Sequence, residues 1–553
     1  MKHATSFELL LDNDPSARGK TLEKIRQEIG KTAHPVFDPA KDALKDVDPR
    51  YFELTMRLDA PDVWDVAREI ARIDGVEDVD PIPGDVGAEQ IAAMEAEGER
   101  ETNMDAIPNP PADWFHEQPH FAQAIEYAQA AFEKQNGAFN GIDCSVKIGL
   151  LDTGYSNHPE TINIRKDQGY SFVKPPWYNR IFNWNWENNP KDRLISFIPF
   201  KWGSHGTSSS SVIIGVDTPG AKFIDGHEDR TNGVFPQAQV IPYRISDSVI
   251  SLHNNLARGA KKAIADGCKV LTASHANLIR TRMLTDVAEE AYEKGVLWFA
   301  AAGSHIAKLK KVWIYPARFR ETIATAASTV DGEPWEKTHA GVLVDICAPG
   351  FKIYRPIARR KFRGWFGAVS YGYGWGEGST FAAPITAAAA ALWLTHHGEE
   401  KLNQHYPKGW QRVEAFRKVM KDSATPHTAP EHQKLYGAGL LNVEKMLETP
   451  LPDASQLQHV KMQKAAAQNQ AIDQDRVTDR ELTQLTGTAK ILTNDEKNDE
   501  LFDFVQAGAS AIAKRKLENI VADNVNSGQD VTSREGNPRS KALKLHIKQC
   551  EQI

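Results

Sequence analysis

Apolar residues recur along this chain with two periods, and the changes from one to the other divide it into regions. FELLL (7–11) is a short strand candidate, and ARGKTLEKIRQEIG after it carries apolar residues at helical spacing. A Pro/Asp-rich stretch leads to YFELTMRL (51–58), where strict alternation puts Phe52, Leu54, Met56 and Leu58 on one face of a strand. PDVWDVAREIARID returns to helical spacing, and GVEDVDPI closes the series. The pattern predicts a small β-α-β-α-β domain of α+β type over residues 1–95. A polar, acidic stretch ending in prolines, within GAEQIAAMEAEGERETNMDAIPNPP, then reads as a linker over 96–111.

From 112 to 448 the strands change character. VKIGLLD (146–152), QVIPYRI (239–245), KVLTAS (269–274), VLWFAAAG (296–303) and TIATAAS (322–328) are continuous apolar runs rather than alternating ones. Strands of that kind are buried on both faces, which predicts a doubly wound parallel sheet covered by helices. LARGAKKAIADG and TRMLTDVAEEAYEKG supply two of those helices, each ended by the glycine expected just past a helix. Residues 449–553 are rich in Gln, Asp, Lys and Ala and contain helical stretches such as DELFDFVQAGASAIAKRKLENIV, so a mostly helical C-terminal extension is expected. WYNRIFNWNWENNPKDR (177–193) holds Trp177, Trp184 and Trp186. Exposed, these would make a peptide-binding surface; the preferred reading is a loop packed over the sheet edge.

Composition adds limits. The 553 residues exceed a single core, so several regions are expected. A net charge of −7 gives no reason to expect nucleic acid or a membrane surface as partner. Cys144, Cys268, Cys347 and Cys550 lack the spacing of a metal site or a disulfide framework. The first twenty residues hold no apolar run of signal-peptide length, and no run approaches the roughly 18 residues of a membrane span. The expectation is a soluble protein, with the cytoplasm favoured.

In a doubly wound sheet reactive groups collect beyond the C-terminal ends of the strands. Three stretches meet that description. In LLDTGYSNHPE, Asp152 ends a strand and Gly154 lets the chain turn. Its carboxylate can hold the Nδ1 proton of a histidine, or it can simply cap the turn. A pair of DTG aspartates sharing one proton is excluded, because no second DTG exists. In WGSHGTSSSSVIIGV, Ser204 and two glycines set His205 at the start of a helix of small residues. In GYGWGEGSTFAAP, the glycines 372, 374, 376 and 378 read as a close-approach loop, after which Thr380 opens a helix. Its hydroxyl is either an N-cap or a nucleophile, and Pro384 fits the first turn.

DTG with HP shortly after it, HGT, and GSTFAAP, in that order, resemble the subtilisin-like serine peptidases, whose Asp, His and Ser follow one another along the chain. GVFPQAQVIPYRI, WIYPARFRETIATAAS and VDICAPG are similar to further stretches of that family, and the likeness covers about 112–448. It implies a subtilisin-like fold, peptide-bond hydrolysis, a polypeptide substrate and no organic cofactor. Calcium is common in the family, but no carboxylate loop for it is visible. The N-terminal region resembles the family's propeptide, which implies that this chain's own first domain occupies the cleft and that the linker is a place for self-cleavage.

Four departures stand against the family pattern. Aligned on AAP, the serine nucleophile falls at Thr380, and Ser379 takes the place of the family's threonine. Ser304 stands where AAAGN has its oxyanion-binding asparagine. SLG appears as Ser274-His275-Ala276, and HGTH as HGTS. The extra methyl of Thr380 restricts χ1 in a site shaped for serine. Ser379, one residue earlier on a helix start, points roughly 100° away and is the lesser candidate. His275 and His305 stand near the site and with His205 suggest a metal set, but accidental placement is the preferred reading. The expected function is an endopeptidase using Asp152, His205, Thr380 or Ser379, and Ser304. The alternative is a catalytically impaired relative that binds peptide without cutting it.

Overall fold

The structure, a computed structural model, describes residues 3–462 apart from 38–48, 59–62, 84–107, 137–143, 174–188, 195–203, 219–231, 305–313, 361–368 and a few single positions. The helical extension expected beyond 462, Trp177, Trp184, Trp186, His305 and most of the linker therefore lie outside the described residues.

The chain divides into two compact units. The smaller runs to His34 and resumes from Glu53 to the end of the fourth strand; the larger takes 35–52 and the described residues from 108 onward. A four-stranded sheet contains β1 (His3–Leu11), β2 (His34–Pro35), β3 (Tyr51–Leu58) and β4 (Val76–Pro83), in the order β2-β3-β1-β4. The predicted face of β3 is real: Phe52 and Leu54 are buried while Thr55 and Arg57 are exposed. Helix α1 (Pro15–Ile29) starts on an Asp14 carboxylate that accepts from the Ser16 N–H, and stops at Gly30 with φ +69°. Helix α2 (Val63–Ala71) follows β3. The addition to the expected series is β2, whose two residues are too few to show a period.

The larger unit is built on seven parallel strands in the order β13-β12-β11-β9-β5-β7-β6. These are β5 (Lys147–Asp152), β6 (Tyr170–Ser171), β7 (Gln239–Arg244), β9 (Val270–Ala273), β11 (Leu297–Ala301), β12 (Ile323–Ser328) and β13 (Val344–Pro349). The two-residue strands β8 (Ile250–Ser251) and β10 (Ala276–Asn277) pair separately. Described helices of this unit include α3 (Phe121–Asn136), α4 (His205–Ile214), α5 (Asn255–Ala265), α6 (Arg282–Glu293), α7 (Ser379–His397) and α8 (Gly409–Ser423). Burial on both faces explains the unbroken apolar strands. Ile148 and Leu150 join a core with Val212 and Ala387, whereas Gly149 lies against Ala263 and Leu151 against Gly259 of α5. The glycines beyond α5 and α6 have φ +83° (Gly267) and +71° (Gly295), the left-handed turn that ends a helix.

One expectation is corrected. The glycine run before Thr380 is not a loop: β14 (Ile353–Arg360) and β15 (Val369–Gly376) form an antiparallel hairpin. Its period is two, with Gly372, Gly374 and Gly376 alternating with Tyr371, Tyr373 and Trp375. The glycine face leaves room for Arg355, since a Cβ on Gly376 would stand 2.5 Å from its guanidinium carbon. That guanidinium lies over the Phe381 ring at 5.3 Å and donates to the Gly374 carbonyl at 2.6 Å. Among the described residues no helix is long and apolar enough to cross a membrane.

Candidate active site

Five chain segments meet beyond the C-terminal edge of the parallel sheet. Strand β5 ends on Asp152, and α4 begins with His205, 53 positions later in the chain. His205 Nδ1 lies 2.7 Å from Asp152 Oδ1, with both side chains buried. The same oxygen accepts from the Thr153 N–H at 2.6 Å, so the carboxylate is fixed by its own strand as well as by the imidazole. A carboxylate at Nδ1 holds the proton there and leaves Nε2 as the basic nitrogen.

The two turns fit closely because their glycines have no side chain. A Cβ on Gly206 would stand 2.0 Å from the Gly154 carbonyl oxygen. Gly154 has φ +103°, and a Cβ there would stand 2.2 Å from the Pro190 carbonyl oxygen. The run of serines in α4 is fully buried, and two of them bond within the helix, Ser210 Oγ donating to the Thr207 carbonyl and Ser211 Oγ to the Ser208 carbonyl. Ser208 Oγ reaches the Pro356 carbonyl on β14 at 2.9 Å.

Strand β15 runs into Gly378 (φ +138°), and α7 begins at Ser379. Ser379 is buried and its Oγ accepts from the Gly303 N–H at 3.0 Å, tying the helix start to the end of β11. Thr380 is partly exposed, its Oγ1 close to the space a Cβ on Gly378 would take, at 3.0 Å. Pro384 sits at the sixth residue of the helix rather than in its first turn, so it removes the N–H that would bond the Thr380 carbonyl. Ser274, just past β9, replaces that donor: its Oγ lies 2.6 Å from the Thr380 carbonyl oxygen.

Beyond β11 the chain turns at Gly303 (φ +102°), whose carbonyl accepts from the His339 N–H at 2.9 Å. The partly buried Ser304 makes an isolated bridge with Thr338. His275 is buried next to Ser274. Among the described residues no group of three His, Cys, Asp or Glu stands together as a metal site.

The roles of two residues escaped the sequence reading. His158, the histidine of HP, is buried; its Nδ1 accepts from the Glu160 N–H at 3.1 Å, which leaves Nε2–H to donate to the Gly372 carbonyl at 3.1 Å. It pins β15 to the loop after Asp152. Asp192 is the other: its carboxylate lies buried between the Asp152 and His205 turns. Burial pushes this carboxyl above its usual range, with Arg244 pulling it back down. HP marks His158 only as part of a family resemblance, without its role, and no motif announces Asp192; a carboxylate alone in a loop is ordinarily a solvated surface group.

Comparison with known proteins agrees with this geometry. The subtilase family profile matches residues 143–439. Subtilisin E of Bacillus subtilis (strain 168) is 25% identical over 328 residues, covering 59% of this chain and 71% of its own. Subtilisin Savinase of Lederbergia lenta is 26% identical over 304 residues, covering 54% of this chain and 89% of its own. Among solved structures, fervidolysin from Fervidobacterium pennivorans, a keratinolytic enzyme related to subtilisin, superposes with a TM-score of 0.52 at 18% identity. That match covers 82% of this chain and 62% of fervidolysin, a likeness of fold. A parallel sheet of this order, an Asp–His pair at its edge and a family match spanning more than half of the sequence lead to one conclusion: the chain belongs to the subtilase family.

Proposed function

We propose that the protein is a serine-type endopeptidase in which Thr380 takes the place of the serine nucleophile. The buried Asp152–His205 hydrogen bond carries this reading, because a carboxylate at Nδ1 makes Nε2 the basic nitrogen of the imidazole. His205 Nε2 takes the Thr380 hydroxyl proton as Oγ1 attacks the substrate carbonyl carbon, and the imidazolium then gives that proton to the leaving amine. Water repeats the cycle on the acyl ester. Asp152 stays ionised and stabilises the imidazolium. The developing oxyanion meets the Thr380 N–H, one of the first amides of α7 and thus without a partner in its own helix, and the Ser304 side chain. Ser379 is the lesser nucleophile because its Oγ already accepts from Gly303. The substrate is a polypeptide, and the N-terminal unit acts as the family's propeptide does, in the cleft.

A second reading rests on the same residue. The Thr380 methyl and the short Ser304 both depart from a serine-and-asparagine site, so the cleft is also suited to holding a peptide uncut. Fluorophosphonate labelling with peptide mapping, on the native chain and on Thr380→Ser, separates the two. Label on Thr380 supports the peptidase; label on Ser379 names the other hydroxyl; label only after Thr380→Ser establishes a competent base with a disabled nucleophile and favours binding.

A further inference from the structure

We infer that Asp192 is a positioning residue that sets the distance between Asp152 and His205, an inference that rests on the peptidase reading of that pair. Its carboxylate makes three hydrogen bonds, all to groups beside the pair or in its own loop. Oδ2 accepts from Thr153 Oγ1 at 3.0 Å and from the Ser204 N–H at 3.0 Å, and Oδ1 accepts from the Leu194 N–H at 2.9 Å. Thr153 directly follows Asp152, and Ser204 directly precedes His205. One oxygen therefore spans the two turns that deliver the base and its partner.

The link is doubled. Thr153 Oγ1, while donating to Asp192, accepts from the Gly206 N–H at 3.1 Å, so His205 is held from both neighbours in the chain. Ser204 needs such holding because it has φ +79°, a left-handed conformation unfavourable to a residue with a side chain. Its Oγ also accepts from the Ala358 N–H at 3.0 Å, so a carboxylate on one side and β14 on the other keep it in that conformation. Backbone bonds fix Asp192 in turn: its N–H donates to the Tyr155 carbonyl at 2.7 Å, and the Tyr155 N–H donates to the Pro190 carbonyl at 3.2 Å. Arg244, buried beside it, faces the same carboxylate while pairing with Asp247.

The charge and the reach of an aspartate both matter. A single oxygen accepting two donors from different segments suits an ionised carboxylate. Without it, the Ser204 N–H is a buried donor with no acceptor, which favours relaxation of the turn and displacement of the imidazole. A displacement of about 1 Å in such a site costs on the order of 10²-fold in rate.

The test uses the full chain with Asp192→Ala, Asp192→Asn and Thr153→Val, each in the native and in the Thr380→Ser background. Two signals are read: the low-field proton resonance of His205 Nδ1–H, and the rate of fluorophosphonate labelling or peptide hydrolysis. Asp192→Ala is expected to broaden or shift the resonance and to lower kcat about 10²-fold with KM held. Asp192→Asn, whose amide oxygen can still accept both donors, recovers part of each. An unchanged resonance in folded Asp192→Ala overturns the inference. Should Asp192→Ala fail to fold, Thr153→Val decides, since it removes the hydroxyl relay alone; an unchanged resonance there overturns the inference equally. If no hydroxyl labels in either background, the peptidase reading falls while the His205 resonance still judges Asp192.

Discussion

At the scale of single residues, the proposed chemistry turns on Thr380 and Ser304. Thr380→Ala is expected to remove activity to the extent that loss of the nucleophile does in this family, about 10⁶ in kcat. The figure comes from a subtilisin, a relative of this chain, and is the ceiling of the effect. Ser304→Asn restores a side-chain donor to the oxyanion and is expected to raise kcat by about 10²–10³, read in the same hydrolysis assay with KM little changed. Asp152, His205 and the start of α7 were legible in the sequence because each is tied to its neighbours by a local rule, a glycine turn after Asp152, a helix start at His205 and a glycine before Ser379. Asp192 was not, because its significance comes from Thr153 and Ser204, and nothing at 192 itself encodes them. His158 escaped for the same reason, its second partner being Gly372.

Among elements, the parallel strands followed from unbroken apolar runs, and their helices from spacing and terminal glycines. The hairpin did not. Glycine at every second position mimics a loop in composition, and only the Arg355 guanidinium lying across it explains a strand without side chains on one face. The contact of Ser274 with the Thr380 carbonyl shows the converse, a local defect repaired from another element. Ser274→Ala leaves that carbonyl without its donor and is expected to cost about 1–3 kcal/mol of stability. Pro384→Ala returns a backbone N–H to the same carbonyl, so the double variant should be more stable than the sum of the single effects, by at least about 0.5 kcal/mol in a denaturant cycle.

For the molecule as a whole, one buried charge cluster outside the Asp152–His205 pair bears on stability. Asp345 opens the second residue of β13 and is held by Lys421 at 2.6 Å and the Ala324 N–H at 3.0 Å, with Arg417 at 3.6 Å. Burial alone pushes its carboxyl up, but Lys421, Arg417 and the Ala324 N–H together hold it below the usual range. A depressed carboxylate contributes its full stability above the unfolded-state value of about 4 and loses it as pH falls through the folded value. Asp345→Asn is therefore expected to cost about 3–5 kcal/mol at neutral pH by urea unfolding. The gap from the native protein should narrow below pH of about 4.

The strand order has a kinetic consequence. Ile148 on β5 pairs with both Val240 and Val270, and Leu297 on β11 pairs with Val270, so the central sheet closes only when distant stretches of chain have met. Folding with contacts so remote along the sequence is slow, and a partly synthesised chain carries Asp152 and His205 long before α7 exists. The proposed nucleophile is thus made only after all seven strands of the parallel sheet. In refolding from urea, the regain of fluorophosphonate reactivity should trail the regain of helical circular dichroism, and chains cut short of residue 379 should fold some structure yet never label.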